Sequence, residues 1–200
     1  MSLVLGLDFD NTLICYDGVF HKVAKERFLI SETTPKDKIS VRNHLRVIGQ
    51  EDAWTELQGE VYGPRIHEAA IFDGALEAIK ILMLAGVEIC LISHKTRAPY
   101  LGKAHDLHLA ATSWLRCHKF FSVDGANWSP DQVFFETTKE SKISRILSQR
   151  CTHFLDDLPE ILDMLPSDMN RIQFAPREVV SKKHSWSVIR QWRELPNLVL

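Results

Sequence analysis

The stretch Leu3-Val4-Leu5-Gly6-Leu7-Asp8-Phe9-Asp10-Asn11-Thr12-Leu13 joins an apolar run to two aspartates spaced i, i+2 and a threonine. Residues 3–7 read as a strand buried on both faces, because almost every side chain is apolar rather than every second one. Asp8 and Asp10 then fall at the carboxyl end of that strand, the edge at which open α/β sheets bind ligands. Alternation puts both carboxylates on the same side of the chain. Two anions held that close repel each other unless a cation or a shared proton intervenes. The stretch therefore asks for a metal.

Beyond Leu13 the pattern turns helical. Val19, Phe20, Val23, Ala24 and Phe28 recur at helix spacing. Thr34 is placed as an N-cap with Pro35 at the first helical position. That helix carries Val41, Leu45 and Ile48 and stops at Gly49. Trp54, Leu57 and Val61 make a third stripe, broken at Gly63-Pro64. Residues 15–70 thus read as a small all-helical insert. A helix opening at Asp73-Gly74 turns Leu76, Ile79 and Met83 inward and ends at Gly86. Residues 87–92 are the next buried strand, with Ser93 at its carboxyl end. A helix is expected over 99–115, with Leu101, Ala104, Leu107, Ala111 and Trp114 inward. Val133-Phe134-Phe135 is a short strand. Thr137-Thr138-Lys139-Glu140 fits a capping box that starts a helix with Ile143, Ile146 and Leu147 on one face. Residues 152–155 form a strand that ends in Asp156-Asp157. A helix through Ile161, Leu162 and Leu165 follows, then a strand over 172–174. A last helix over 185–195 carries Trp186, Ile189 and Trp192.

Strands alternating with helices imply right-handed βαβ units and a parallel sheet covered on both faces. The expected fold is α/β, a Rossmann-like parallel sheet over 1–14 and 71–200 with a helical cap over 15–70. Asp8/Asp10, Ser93 and Asp156/Asp157 all fall at carboxyl strand ends, so a parallel sheet brings them to one edge.

The 200 residues carry a formal net charge of −2. No basic field points to a nucleic acid polymer, and no acidic tail is present. The four cysteines include no C-x-x-C and read as free thiols. The chain start lacks the pattern of a secretory leader, and no apolar run is long enough for a bilayer. A cytoplasmic monomer or homodimer, with no membrane partner, is the expectation.

A phosphate monoester at that edge would give each group a task. Magnesium takes hard oxygen ligands and neutralises the charge that keeps a carboxylate from an anionic phosphate. Asp8 and one of the paired aspartates can supply those oxygens. The Ser93 hydroxyl and a lysine can hold the phosphoryl oxygens as charge rearranges. Attack by Asp8 gives an aspartyl-phosphate. Asp10 then serves as general acid and base.

The ordered set Asp8-Phe9-Asp10-Asn11-Thr12, Ser93 after an apolar strand, a lysine on the helix from Thr138, and Asp156-Asp157 resembles the four motifs of the haloacid dehalogenase superfamily. The resemblance spans nearly the whole chain and implies a Rossmann-like core with a cap between the first and second motifs. It implies Asp8 as nucleophile and Asp10 as acid/base. It also implies magnesium held by Asp8, the main-chain carbonyl of Asp10, and Asp157, with Asp156 acting mainly through a metal-bound water. His94 stands where the family often has asparagine. The motif lysine is Lys139, in the first helical turn, or Lys142, one turn further in; Lys139 is preferred. Because a halide leaves without a proton, Asp10 favours phosphate-ester cleavage over dehalogenation. Asp156-Asp157-Leu158-Pro159 is similar to a stretch in some deoxyribonucleotidases of the family.

The expected activity is hydrolysis of a small phosphorylated metabolite. The alternatives are a phosphotransferase or mutase with the same chemistry, and a non-catalytic binding protein of the same fold. His94, Lys95 and Arg97 follow Ser93 on the loop at the catalytic edge, and a substrate contact is expected of His94 and Lys95. Arg46, Arg65 and His67 in the insert are candidates for a substrate carboxylate or second phosphate. His105 and His108, one helical turn apart, have zinc-ligand spacing but fit a polar helix face better.

Overall fold

The computed structural model describes residues 2–177 and 185–200. Strand β1 (Val4–Leu7) leads through a tight turn to β2 (Ile14–Cys15). Three helices follow, α1 (Val19–Glu26), α2 (Lys38–Val47) and α3 (Glu51–Tyr62). The chain continues through β3 (Ala70–Ile71), α4 (Ala75–Leu84), β4 (Glu88–His94), α5 (Leu107–Cys117), β5 (Val133–Glu136), α6 (Lys139–Ser148) and β6 (His153–Asp156). It ends with α7 (Pro159–Met164), β7 (Asn170–Phe174), β8 (Ser187–Ile189) and α8 (Pro196–Val199). Six strands make one parallel sheet in the order β5-β4-β1-β6-β7-β8, and β2 pairs with β3 separately.

The order explains where a site forms. From β1 the chain moves outward to β4 and β5, then returns to the other side of β1 for β6, β7 and β8. The connections diverge at β1, and such a switch point opens a crevice at the carboxyl ends of the strands. Leu7 pairs with both Leu91 and Leu155. Asp8 and Asp156 are therefore each one residue past that level, and Ser93 is two residues past it.

The chain divides into two compact units. One takes the chain to Ile14, Ile71–Lys95 and His118–Leu200; the other takes Cys15–Ala70 and Thr96–Cys117. In the first, Cys90, Ile92, Ile146, Cys151, Phe154, Ile161, Leu162 and Leu165 form a buried cluster between the sheet and helices α6 and α7. Helix α4 packs against β4 and the turns over 192–199, and Trp192 Nε1 donates to the Thr12 carbonyl at 3.0 Å. Gly6, in the centre of β1, pairs with Phe154, whose ring lies over it. A Cβ there would sit 2.5 Å from Phe154 Cδ2 and 3.0 Å from Cys151 Sγ. Gly6→Ala is accordingly expected to cost about 1–3 kcal/mol by overpacking. The measurement is a thermal melt; an unchanged midpoint would show that Phe154 moves aside at no cost.

In the second unit, α1, α2, α3 and α5 pack together around Phe20, Val23, Val41, Leu45, Trp54, Leu57 and Leu107. Residues 96–117 are part of this unit. Pro99 lies against Gly59 and His105 against Gly63, and Trp114 Nε1 donates to the Ala69 carbonyl at 2.8 Å. No helix among the described residues is long and apolar enough to cross a membrane.

Several expected elements differ. Phe28 lies past the end of α1 at φ 57° and is 94% exposed. Helix α2 is capped by Asp37, whose Oδ1 accepts from Ser40 N at 2.8 Å, not by Thr34. Helix α4 buries Ala75, Ala78, Ile79 and Leu82, a face rotated from that expected. Helix α5 begins at Leu107, where Asp106 accepts from Leu109 N; Gly102, at φ 87°, interrupts the stretch before it. The expected helix over 185–195 is strand β8 and a 3-10 turn over Trp192–Glu194.

Candidate active site

Four charged or hydroxyl side chains meet at the carboxyl end of β1. Asp8 continues the ladder, its N–H donating to the Leu155 carbonyl at 2.9 Å. Its Oδ1 accepts from Ser93 Oγ at 3.0 Å and from Lys142 Nζ at 2.6 Å. Lys142 Nζ also donates to Asp156 Oδ2 at 2.6 Å. The other oxygen of Asp156 accepts from the Leu158 N–H at 2.9 Å. Lys142 is only 2% exposed, so its ammonium is almost wholly supplied with partners by the protein.

The electrostatics follow from counting charges. Burial alone would favour a neutral amine at Lys142, but the carboxylates of Asp8 and Asp156 outweigh it and hold the ammonium well above the usual lysine range. One ammonium cannot balance two carboxylates. Burial, aided by the Asp8 charge, pushes the Asp156 carboxyl up to about 7 despite Lys142. Asp157 adds a third carboxylate: one oxygen from each of Asp8, Asp156 and Asp157 lies within 4.8 Å of the others. This surplus of negative charge on hard oxygen atoms suits a divalent cation. It is the group of potential metal-ligating side chains found among the described residues.

Asp10 stands beside this group with a different partner. Lys95 Nζ donates to Asp10 Oδ2 at 2.7 Å and to Oδ1 at 3.0 Å. Asp10 sits in the turn where Leu13 N and Ile14 N both donate to the Phe9 carbonyl. Asn11 there takes φ 60°, a left-handed conformation that asparagine tolerates better than most residues.

No family model matches the chain. A curated protein of Oceanobacillus iheyensis named "Putative nucleotidase" is 23% identical over 196 residues, which cover 94% of this chain and 95% of that protein. Among solved structures, a HAD-superfamily hydrolase from Ehrlichia chaffeensis matches 100% of this chain and 97% of its own, with TM-score 0.55 and 12% identity. A haloacid dehalogenase-like family hydrolase from Xanthomonas campestris matches 99% and 94%, with TM-score 0.57 and 10% identity. A phosphoserine phosphohydrolase-like protein from Francisella tularensis matches 100% of both chains, with TM-score 0.53 and 13% identity. The fold is that of the haloacid dehalogenase superfamily.

On this superfamily fold the expected site residues separate into two groups. Asp8, Ser93, Lys142, Asp156 and Asp157 are brought together, and Asp10 adjoins them through the turn after Asp8. Lys139, preferred from the sequence, is not. It is a surface residue paired with Glu160 at 2.9 Å. Lys142 takes the inner position because it lies one turn deeper in α6, and a helical side chain leans back toward its N-terminus. His94 Nε2 donates to the Thr137 carbonyl at 3.2 Å. Lys95, expected at the substrate, donates to Asp10. No sequence pattern marked that pair, since the two residues are 85 apart.

The candidates of the insert are committed within the second unit. Arg46 makes two hydrogen bonds to Glu51, at 2.8 and 2.9 Å. Arg65 binds Glu26 and Glu68, and hydrogen bonds from Arg65 and Lys22 pull the Glu68 carboxyl down to about 2. His67 is exposed, with Nδ1 on the Pro64 carbonyl.

Proposed function

We propose that this chain hydrolyses a small phosphomonoester through an aspartyl-phosphate on Asp8. The observation that carries the reading is the convergence of Ser93 and Lys142 on Oδ1 of Asp8, beside a second carboxylate, Asp10, that has its own counterion. Both donors go to Oδ1, so Oδ2 of Asp8 accepts no hydrogen bond among the described residues. A nucleophile needs such an open oxygen.

In the first step Asp8 attacks phosphorus, the bond from phosphorus to the ester oxygen breaks, and the leaving oxygen takes a proton from the Asp10 carboxyl. The product alcohol departs. In the second, a water oxygen attacks the same phosphorus, Asp10 takes the water's proton, and the bond to Asp8 breaks. Inorganic phosphate leaves and Asp8 is restored. The Lys142 ammonium and the Ser93 hydroxyl supply donors to oxygens that gain charge on the way. Asp8, Asp157 and the Asp10 carbonyl would hold magnesium, with Asp156 behind them; it would neutralise charge on the phosphoryl oxygens. A dehalogenase would have no use for a proton donor at Asp10.

The likeness to a protein named as a nucleotidase puts nucleoside monophosphates first among substrates to test. The experiment is phosphate release from a panel of nucleotides, sugar phosphates, small organic phosphates and a chromogenic ester, with magnesium and with EDTA. Magnesium-dependent release, strongest for one class, is expected. Absence of release from every ester, with magnesium binding intact, would replace this reading with a transferase or a binding role.

A further inference from the structure

We propose that Lys95 is a positioning residue for Asp10, holding the carboxyl group at the angle from which it serves the leaving group. The inference rests on the phosphohydrolase reading above. Its physical basis is the placement of the pair. The Lys95 main chain is anchored at the end of β4, where its N–H donates to the Glu136 carbonyl at 2.8 Å. Its ammonium lies 5.5 Å from the centroid of the Phe9 ring, close enough for cation–π attraction. The lysine side chain is 2% exposed, whereas that of Asp10 is 19% exposed. The carboxyl group therefore stands on the open side with the ammonium behind it. A lysine meant to grip a substrate phosphate would present its ammonium to the opening.

The two-point contact decides the role. An aspartate side chain turns about two bonds, and a single donor leaves it free to swing. Donation to both Oδ1 and Oδ2, at 3.0 and 2.7 Å, fixes the carboxyl plane. Each carboxylate oxygen offers about two lone-pair sites, and Lys95 occupies one on each. Misplacing a catalytic acid by about 1 Å is enough to cost on the order of 10²-fold.

The test separates this role from phosphate binding by varying the leaving group. A dinitrophenolate departs without a proton, and an alkoxide needs one. In Lys95→Met, hydrolysis of 2,4-dinitrophenyl phosphate is expected to fall less than about threefold, while kcat for an alkyl phosphate falls on the order of 10²-fold. KM should change little for either. Asp10→Asn should show the same selectivity, and adding Lys95→Met to it should cost nothing further. Should the methionine variant fail to fold, Lys95→Gln reads the same way, keeping one donor to Asp10 and losing the second. An equal loss on both esters, a rise in KM alone, or no loss at all would overturn the proposal. If the wild-type protein cleaves no ester, the phosphohydrolase reading has failed at its own test, before any Lys95 variant is compared.

Discussion

Asp8→Asn is expected to reduce phosphate release by on the order of 10⁵-fold or more, the scale seen when a nucleophile is removed, while the protein stays folded. Asparagine keeps the shape and keeps an acceptor at Oδ1, so Ser93 and Lys142 retain their partner. What disappears is the attacking charge. Stability should hold or rise in EDTA, because Asp8 and Asp156 share the Lys142 ammonium and the substitution removes one of the two negative charges. Magnesium should reverse the order. The wild-type protein gains a countercharge for its full cluster, and bound ligand stabilises by mass action. A gain of 1 kcal/mol corresponds to roughly 2–4 °C at this chain length. The measurements are turnover of the best panel ester and thermal melts with magnesium and with EDTA. Substantial residual turnover in the asparagine variant would mean that another group attacks. An equal magnesium shift in both proteins would mean that Asp8 is not a ligand.

The parts of this site that could be read from sequence are those governed by strand ends. Asp8, Ser93 and Asp156 each follow a short apolar run, and a parallel sheet offers one arrangement for such ends. Their convergence follows from the register Leu7–Leu91 and Leu7–Leu155. What could not be read depends on tertiary choice. Trp186, Ile189 and Trp192 fit a helical stripe, yet Ser187–Ile189 also suits a strand. Pairing with β7, Ile172 to Ser187 and Phe174 to Ile189, settles it. For short apolar segments the neighbour outweighs periodicity. Residues 96–117 follow a core strand in sequence, and only the close approaches at Gly59 and Gly63 reveal which helices they join. The start of α5 is marked in the sequence itself. Asp106 is a good N-cap, and Gly102 is a poor residue for the helix interior expected there.

Lys142→Met should be the most damaging single substitution to stability in the site, and Lys139→Ala among the mildest, a contrast that tests the choice between the two lysines. Methionine fills the space of the lysine stem and removes the ammonium. Asp8 Oδ1 and Asp156 Oδ2 are then left as buried carboxyl oxygens without the cation that both used. Breaking a buried ion pair from one side costs about 3–5 kcal/mol, a fall in melting temperature on the order of 10 °C. The loss has a pH signature. With no ammonium nearby, the buried Asp156 carboxyl titrates in the folded state still further above its unfolded value. It then withdraws stability as pH rises through the interval between the two. The deficit relative to wild type should therefore widen as pH rises above about 7. Asp156 already leans this way, at about 7, with Lys142 in place. Magnesium should recover part of the lost stability by replacing the missing charge, while turnover stays low because the donor to Asp8 is gone. Lys139 pairs with Glu160 at the surface, where an ion pair contributes about 0–1 kcal/mol. Its alanine variant should melt and turn over nearly as the wild type does. Equal losses in the two variants, or a larger loss at Lys139, would return the motif lysine to the first turn of α6.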